Sequence, residues 1–132
     1  MKAIVIAGAL TLAMAGAAEA TCVQSDGAGK WRLFPAFVNP STKSLDWYRC
    51  TLIIDSVGNI EAKSFCIDSG GQKFSGASGT LTIANSCSLS GSFLVSSQTV
   101  TLTDGQLSKD KQSMTGVGSA PLGLFIFTGL KQ

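Results

Sequence analysis

Residues 81–95 read LTIANSCSLSGSFLV. Leu81, Ile83, Cys87, Leu89, Phe93 and Val95 fall on odd positions, and Thr82, Ser86, Ser88, Ser90 and Ser92 on even ones. An apolar period of two puts alternate side chains on opposite faces of an extended chain, so the stretch is β with one dry face and one wet face. It is long for a single strand, and Asn85-Ser86 is the expected site of a bend or bulge.

The same reading extends toward the N-terminus. Arg49 to Ile54 is rich in Thr, Leu and Ile, and Asp55-Ser56-Val57-Gly58-Asn59 follows as a turn in which Gly58 supplies positive φ. Ile60 to Ile67 is the expected returning strand. Arg49 and Thr51 on one strand, and Glu61 and Lys63 on the other, belong outside, which turns Tyr48, Cys50, Leu52 and Ile54 inward on the first. On the other it turns Ile60, Ala62, Ser64 and Cys66 inward, and Trp47 is left on the outer face. Lys30 to Phe34 is a further strand, stopped by Pro35, with Phe37 beyond the break.

Toward the C-terminus, Thr99 to Thr103 is a strand and Asp104-Gly105 a turn dipeptide, so a new strand is expected near Gln106. Lys109 to Gln112 is a polar turn, Met114 to Gly118 a short strand, and Leu122 to Phe127 an apolar run that reads as a strand covered on both faces. No stripe of helical period accompanies these runs. The fold class is therefore all-β, a small antiparallel up-and-down β-barrel stabilised by disulfides, with a β-sandwich as the alternative.

Residues 1–20 have a different character. Lys2 precedes an uncharged apolar run from Ala3 to Ala15, and Ala18-Glu19-Ala20 is a small-x-small cleavage site, the pattern of an export signal cut before Thr21. The run is too short to span a bilayer comfortably, and no stop-transfer segment follows. Glu19 stands three residues before Cys22, where a lipoprotein signal would place Leu. The expectation is an exported protein, periplasmic or extracellular, with one β domain over residues 21–132 and no stable membrane span.

All four cysteines, Cys22, Cys50, Cys66 and Cys87, lie beyond the signal, and an even count in a short exported chain points to a disulfide framework. A hairpin turning at Gly58 sets residues 50 and 66 opposite each other with matching parity, which favours Cys50–Cys66 with Cys22–Cys87. The competing pairing is Cys66–Cys87 with Cys22–Cys50.

Gly29-Lys30-Trp31 resembles the G-x-W signature that opens the first strand of calycins, the lipocalin and avidin group of up-and-down barrels. In those families a basic residue near the end of the last strand packs over that Trp, and Lys131 is suitably placed. The resemblance implies a small closed barrel and names no ligand.

Chemistry is bounded chiefly by what is missing. The chain has no histidine, which removes Ser-His-Asp, Cys-His and His-metal arrangements. No cysteine pair has zinc-ligand spacing. No metal or cofactor is expected. Ten Lys and Arg face eight Asp and Glu, for a net charge of +2, scattered and without the basic stripe of a nucleic-acid binder. Asp104 with Asp110, and Asp55 with Glu61, are the nearest carboxylate pairs, but turn chemistry explains them better than acid–base catalysis. Aromatic residues remain, with Trp31, Trp47 and Tyr48 as candidate ligand-binding residues and Trp47 as the mark of a contact surface. The reading is a non-enzymatic binding or interaction module for a small molecule or a protein. Its alternatives are an inhibitor of an exported protease and a carboxylate-dependent enzyme. An outer-membrane barrel conflicts with inward apolar and outward Ser/Thr faces.

Overall fold

In the computed structural model, which describes residues 21–95, 97–121 and 123–132, the stretch 81–95 is a hairpin. The chain turns at Ala84–Cys87, where the Cys87 N–H donates to the Ala84 carbonyl at 2.8 Å and the Ala84 N–H to the Ser88 carbonyl at 3.0 Å. Cys87 takes a φ of 66°, a conformation usually left to Gly or Asn. The bend expected at Asn85-Ser86 is thus a full reversal. The apolar parity survives it because Ile83 pairs directly with Leu89.

Among the described residues there are nine antiparallel strands: β1 (Gly29–Asn39), β2 (Ser44–Ile54), β3 (Phe65–Asp68), β4 (Lys73–Ser75), β5 (Ser78–Ile83), β6 (Ser88–Val95), β7 (Gln98–Leu107), β8 (Ser113–Ala120) and β9 (Gly123–Lys131). They form one sheet in the order β4-β3-β2-β1-β9-β8-β7-β6-β5. Every neighbour in that order is also a neighbour in sequence except β1 and β9, so the sheet is an up-and-down meander that curls until its last strand meets its first. The expected export signal, residues 1–20, lies outside the described residues.

The β5 edge of the sheet is joined back to β2 near the start of the loop after β2. Ile60 bridges Ile54 and Asn59 bridges Thr80, while the Ile60 N–H donates to the Gly79 carbonyl at 2.9 Å and the Leu81 N–H to the Gly58 carbonyl at 2.8 Å. A three-residue segment therefore stands in for a strand between β2 and β5, and the sheet is an all-β barrel. Gly58 makes this possible: its φ is 95°, and a Cβ there would lie 2.1 Å from the Leu81 carbonyl oxygen.

Several expectations change at the level of single elements. The returning strand after the turn is not continuous from Ile60. Residues 61–64 leave the ladder, Ala62 faces solvent and not the interior, and Ser64 is buried with its Oγ accepting from the Ile53 N–H at 2.9 Å. This turn takes up the extra residues, so Cys50 still stands opposite Cys66. Pro35 does not end β1, because the β1–β2 pairing passes over Phe34 and Pro35 and no donor is needed there. Asp104-Gly105 is not a hairpin turn but part of β7, at a shift of register between Leu102 and Asp104. Finally, β9 is covered on its inner face alone: Phe125 and Phe127 are buried, whereas Leu124, Ile126 and Leu130 are exposed.

The sulfurs are joined as Cys22–Cys87 and Cys50–Cys66. The first bridge ties the segment before β1 to the β5–β6 turn; the second crosses β2 and β3 on the inner face.

Candidate functional site

The interior is filled unevenly along the barrel axis. At the end where β1 begins, Trp31, Leu107, Met114, Ile83 and Leu89 are all buried. A short 3₁₀ turn, Gln24–Gly27, closes that end. Gln24 fastens the plug, its amide donating to the Leu81 carbonyl at 2.8 Å and accepting from the Ile83 N–H at 2.9 Å. Trp31, fully buried, donates its indole N–H to the Gly27 carbonyl at 2.8 Å. The Lys131 ammonium lies 5.4 Å from the Trp31 ring centroid and donates to the Asp26 carbonyl at 3.1 Å. Asp26 accepts from the Val23 N–H and pairs with Lys111 at 3.4 Å. The Val23 bond above all, with Lys111 and Lys131 nearby, holds its carboxyl below the ordinary range.

The other end is open. A cavity of about 360 Å³ enters between Asn39, Ser44, Gln98 and Gly123, passes Val100, and descends to Leu52, Ile60 and Phe127. Its walls are aromatic. Phe37 meets Tyr48 edge-on at 5.1 Å and stacks with Phe125 at 5.7 Å; Phe125 stacks with Phe127 at 6.1 Å, and Tyr48 faces Phe74 at 6.3 Å. Strand alternation aims these rings inward, and β8 leaves room for them by presenting Gly116 and Gly118. A Cβ on either glycine would meet the ring of Phe127 or Phe125 at 2.7 and 2.3 Å respectively. Large side chains over small ones thus narrow one end of the barrel and line the other.

Polar groups gather at the mouth: Asn39, Ser44, Asp46, Gln98 and the Tyr48 hydroxyl. Burial first, and then the nearby Asp46 and Asp68 carboxylates, raise the Tyr48 hydroxyl above its usual value. It stays protonated at neutral pH and is available as a donor.

Of the three candidate ligand-binding residues, Tyr48 lines the cavity, Trp31 is part of the packed end, and Trp47 stands on the outer wall, 54% exposed. Phe93, whose inward parity is legible in the sequence, lines the cavity as well, and so do Phe125 and Phe127 of the run that the sequence read as covered on both faces. Phe37 and Phe74 have weaker signals, one lying past Pro35 and the other on a three-residue strand. The rim residues have none, because they share a mouth only once the strands are in register.

Of the paired carboxylates, Asp55 and Asp110 occupy turns, whereas Asp104 stands on β7. Asp55 accepts from the backbone of Val57 and Asn59 and from the Asn59 amide, which, led by that amide, lower its carboxyl. Asp110 accepts from the Ser108 hydroxyl, the chief cause of its lowered value, and from the Gln112 N–H. Glu61 and Asp104 are exposed. No group of three or more His, Cys, Asp or Glu that could hold a metal occurs among the described residues, nor does a helix long and apolar enough to cross a membrane.

No family model matches the chain, and no curated protein matches it. Solved structures do. A de novo designed fluorescence-activating β-barrel is similar over 84% of this chain and all of its own, with a TM-score of 0.61 and 14% identity. A redesigned β-barrel covers 85% of this chain and 98% of its own, with a TM-score of 0.57 and 15% identity. Another redesigned barrel, bound to the dye DFHBI, covers 83% of this chain and all of its own at 0.58 and 10%. At these identities the likeness is one of fold, the small β-barrel.

Proposed function

We propose that this protein is an exported, non-enzymatic module that binds a small, largely apolar molecule in the open end of its barrel. One observation carries the reading: a cavity of about 360 Å³ walled by Phe37, Tyr48, Phe93 and Phe125, with its polar groups confined to the mouth. That is the build of a small-molecule site, in which apolar walls supply affinity and a few polar groups fix orientation. Support comes from the designed barrels of the same fold, one of which is bound to a dye. The packing of Lys131 over Trp31 supports a calycin-like barrel. Two disulfides and the export pattern of residues 1–20 support a location outside the reducing cytoplasm. The roles of Asp55 and Asp110 in their own turns favour binding over carboxylate catalysis.

Titration with an environment-sensitive apolar dye tests this. The protein should enhance dye emission with saturable, one-site behaviour. Ala120→Trp, at the half-buried mouth, should abolish the enhancement while leaving the far-ultraviolet spectrum unchanged. Val100→Phe, on the cavity wall across from Phe93, should weaken it and raise the denaturation midpoint, because the added ring fills space. Emission that is unsaturable, or unaffected by both substitutions, would overturn the proposal.

A further inference from the structure

The residues that line the cavity include no lysine and no arginine, and their one charged side chain is Asp46. Register fixes what surrounds it. Asp46 stands opposite Phe37 on β1, and next along the same inner face of β2, Tyr48 stands opposite Asp68 on β3. Directly opposed residues have Cβ atoms about 5 Å apart, so two carboxylates and two rings share one corner of the mouth. Phe37 and Tyr48 meet edge-on at 5.1 Å, and Phe74 brings a third ring to 6.3 Å from Tyr48. Both carboxylates are close enough to act on the Tyr48 hydroxyl.

The cations of the neighbourhood are elsewhere. Lys73 on β4 alternates with the cavity-lining Phe74, and its ammonium lies 4.3 Å from the Phe65 ring centroid on the outer face. Arg49, between the inward Tyr48 and Cys50, is exposed on that outer face as well. Lys43, on the exposed turn between β1 and β2, lies outside the lining and forms no salt bridge with Asp46 or Asp68. The other polar groups of the mouth, Asn39, Ser44 and Gln98, both donate and accept, so they favour neither sign of charge.

We infer that the cavity selects a cation: an amine or quaternary ammonium whose apolar body fills the barrel and whose charged head rests at the mouth among Asp46, Asp68, Phe37 and Tyr48. This rests on the small-molecule reading above and adds to it the sign of the ligand. Aromatic rings attract a cation through their quadrupole, the carboxylates supply the counter-charge, and the apolar walls lower the dielectric in which both act. An anionic head would meet two carboxylates with no lysine or arginine in the lining to receive it. A bare metal ion does not fit either. Calcium takes about six or more oxygen ligands, and no group of three His, Cys, Asp or Glu that could hold a metal occurs among the described residues.

Three probes with one aromatic body and different heads separate this inference from the reading beneath it: naphthylmethylamine, cationic at neutral pH, naphthylmethanol, neutral, and naphthaleneacetate, anionic. In calorimetric titrations of the disulfide-bonded protein at low salt, the amine should bind about tenfold more tightly than the alcohol, and the carboxylate least of all. Asp46→Asn should remove most of the advantage of the amine and leave the affinity for the alcohol unchanged, which also reports that the fold is intact. Asp68→Asn should remove less, because Asp68 stands behind Tyr48 with its Oδ1 accepting from the Gln72 N–H at 2.8 Å. Asp104→Asn, which deletes the same charge from an exposed position of β7 outside the cavity, should alter none of the three affinities. An alcohol bound as tightly as the amine would sink the inference and leave the apolar cavity standing as a binding site. So would an amine preference that survives Asp46→Asn and Asp68→Asn together, or one that Asp104→Asn weakens equally. Failure of all three probes to bind would sink both.

Discussion

Gly58 shows how much one residue can decide. Its carbonyl and the adjoining Ile60 N–H carry the join between β2 and β5, and its positive φ and the approach of the Leu81 oxygen leave no space for a side chain. Gly58→Ala should therefore cost about 2 kcal/mol or more, from backbone strain and the displaced bond, read as a lower midpoint in urea denaturation. Glycine at this position was legible as a turn residue; its part in closing the barrel was not, because the contact is with β5, well along the chain. Trp31 is a similar case. The sequence offers it as a ligand-contacting aromatic, whereas the plug around Gly27 takes its indole N–H and Lys131 covers its ring.

Among the elements, the hairpins were legible in parity and less so in extent. Leu81 to Val95 keeps its faces through an unmarked reversal, since the turn uses Cys87 at positive φ where no Asn-Gly or Asp-Gly signals it. Conversely, Asp104-Gly105 carries the signal and forms a bulge, because the strand needs a small inward residue against Leu89. Pro35 failed as a stop for lack of a ladder bond to lose. The cysteine pairing followed from register at one bridge and by elimination at the other. The two bridges should differ in weight: Cys22–Cys87 closes a separation of 65 residues and Cys50–Cys66 one of 16, so loop-closure entropy assigns them about 4 and about 3 kcal/mol. Replacing Cys22 and Cys87 by Ala should lower stability by about 1 kcal/mol more than replacing Cys50 and Cys66, in guanidinium titrations run side by side. The N-terminal plug would also come loose in the first variant, which would expose Trp31 to acrylamide quenching.

For the whole molecule, the acid response is set at its turns. Asp26, Asp55 and Asp110 all titrate below the usual value near 3.8 because hydrogen bonds favour their charged forms. A folded-state value lowered below the unfolded one gives stability that is fully present above the unfolded value and is lost as pH falls through the folded one. The thermal midpoint should therefore be level between pH 7 and about 5 and decline below about 4. Replacing all three residues by Asn should flatten the decline and lower the midpoint at neutral pH. What no local pattern could reveal is the pairing of distant faces: the mouth and its rim exist only after the strands take their register. The two-sided covering expected of Leu122 to Phe127 was a reading of composition alone, and the exposure of Leu124 and Ile126 leaves β9 covered on its inner face only.

The place of β9 beside β1 sets the order of events when the chain is made. β1 and β2 can pair early, but the other edge of β1 stays unsatisfied until the last of the nine strands has been synthesised. The wall therefore cannot be completed progressively behind the ribosome. Non-local closure of this kind is slow, in the millisecond-to-second range for comparable β topologies, and leaves an exposed apolar edge in the meantime. A chain that cannot finish folding until late remains threadable for longer, which is what the export proposed above would require of it.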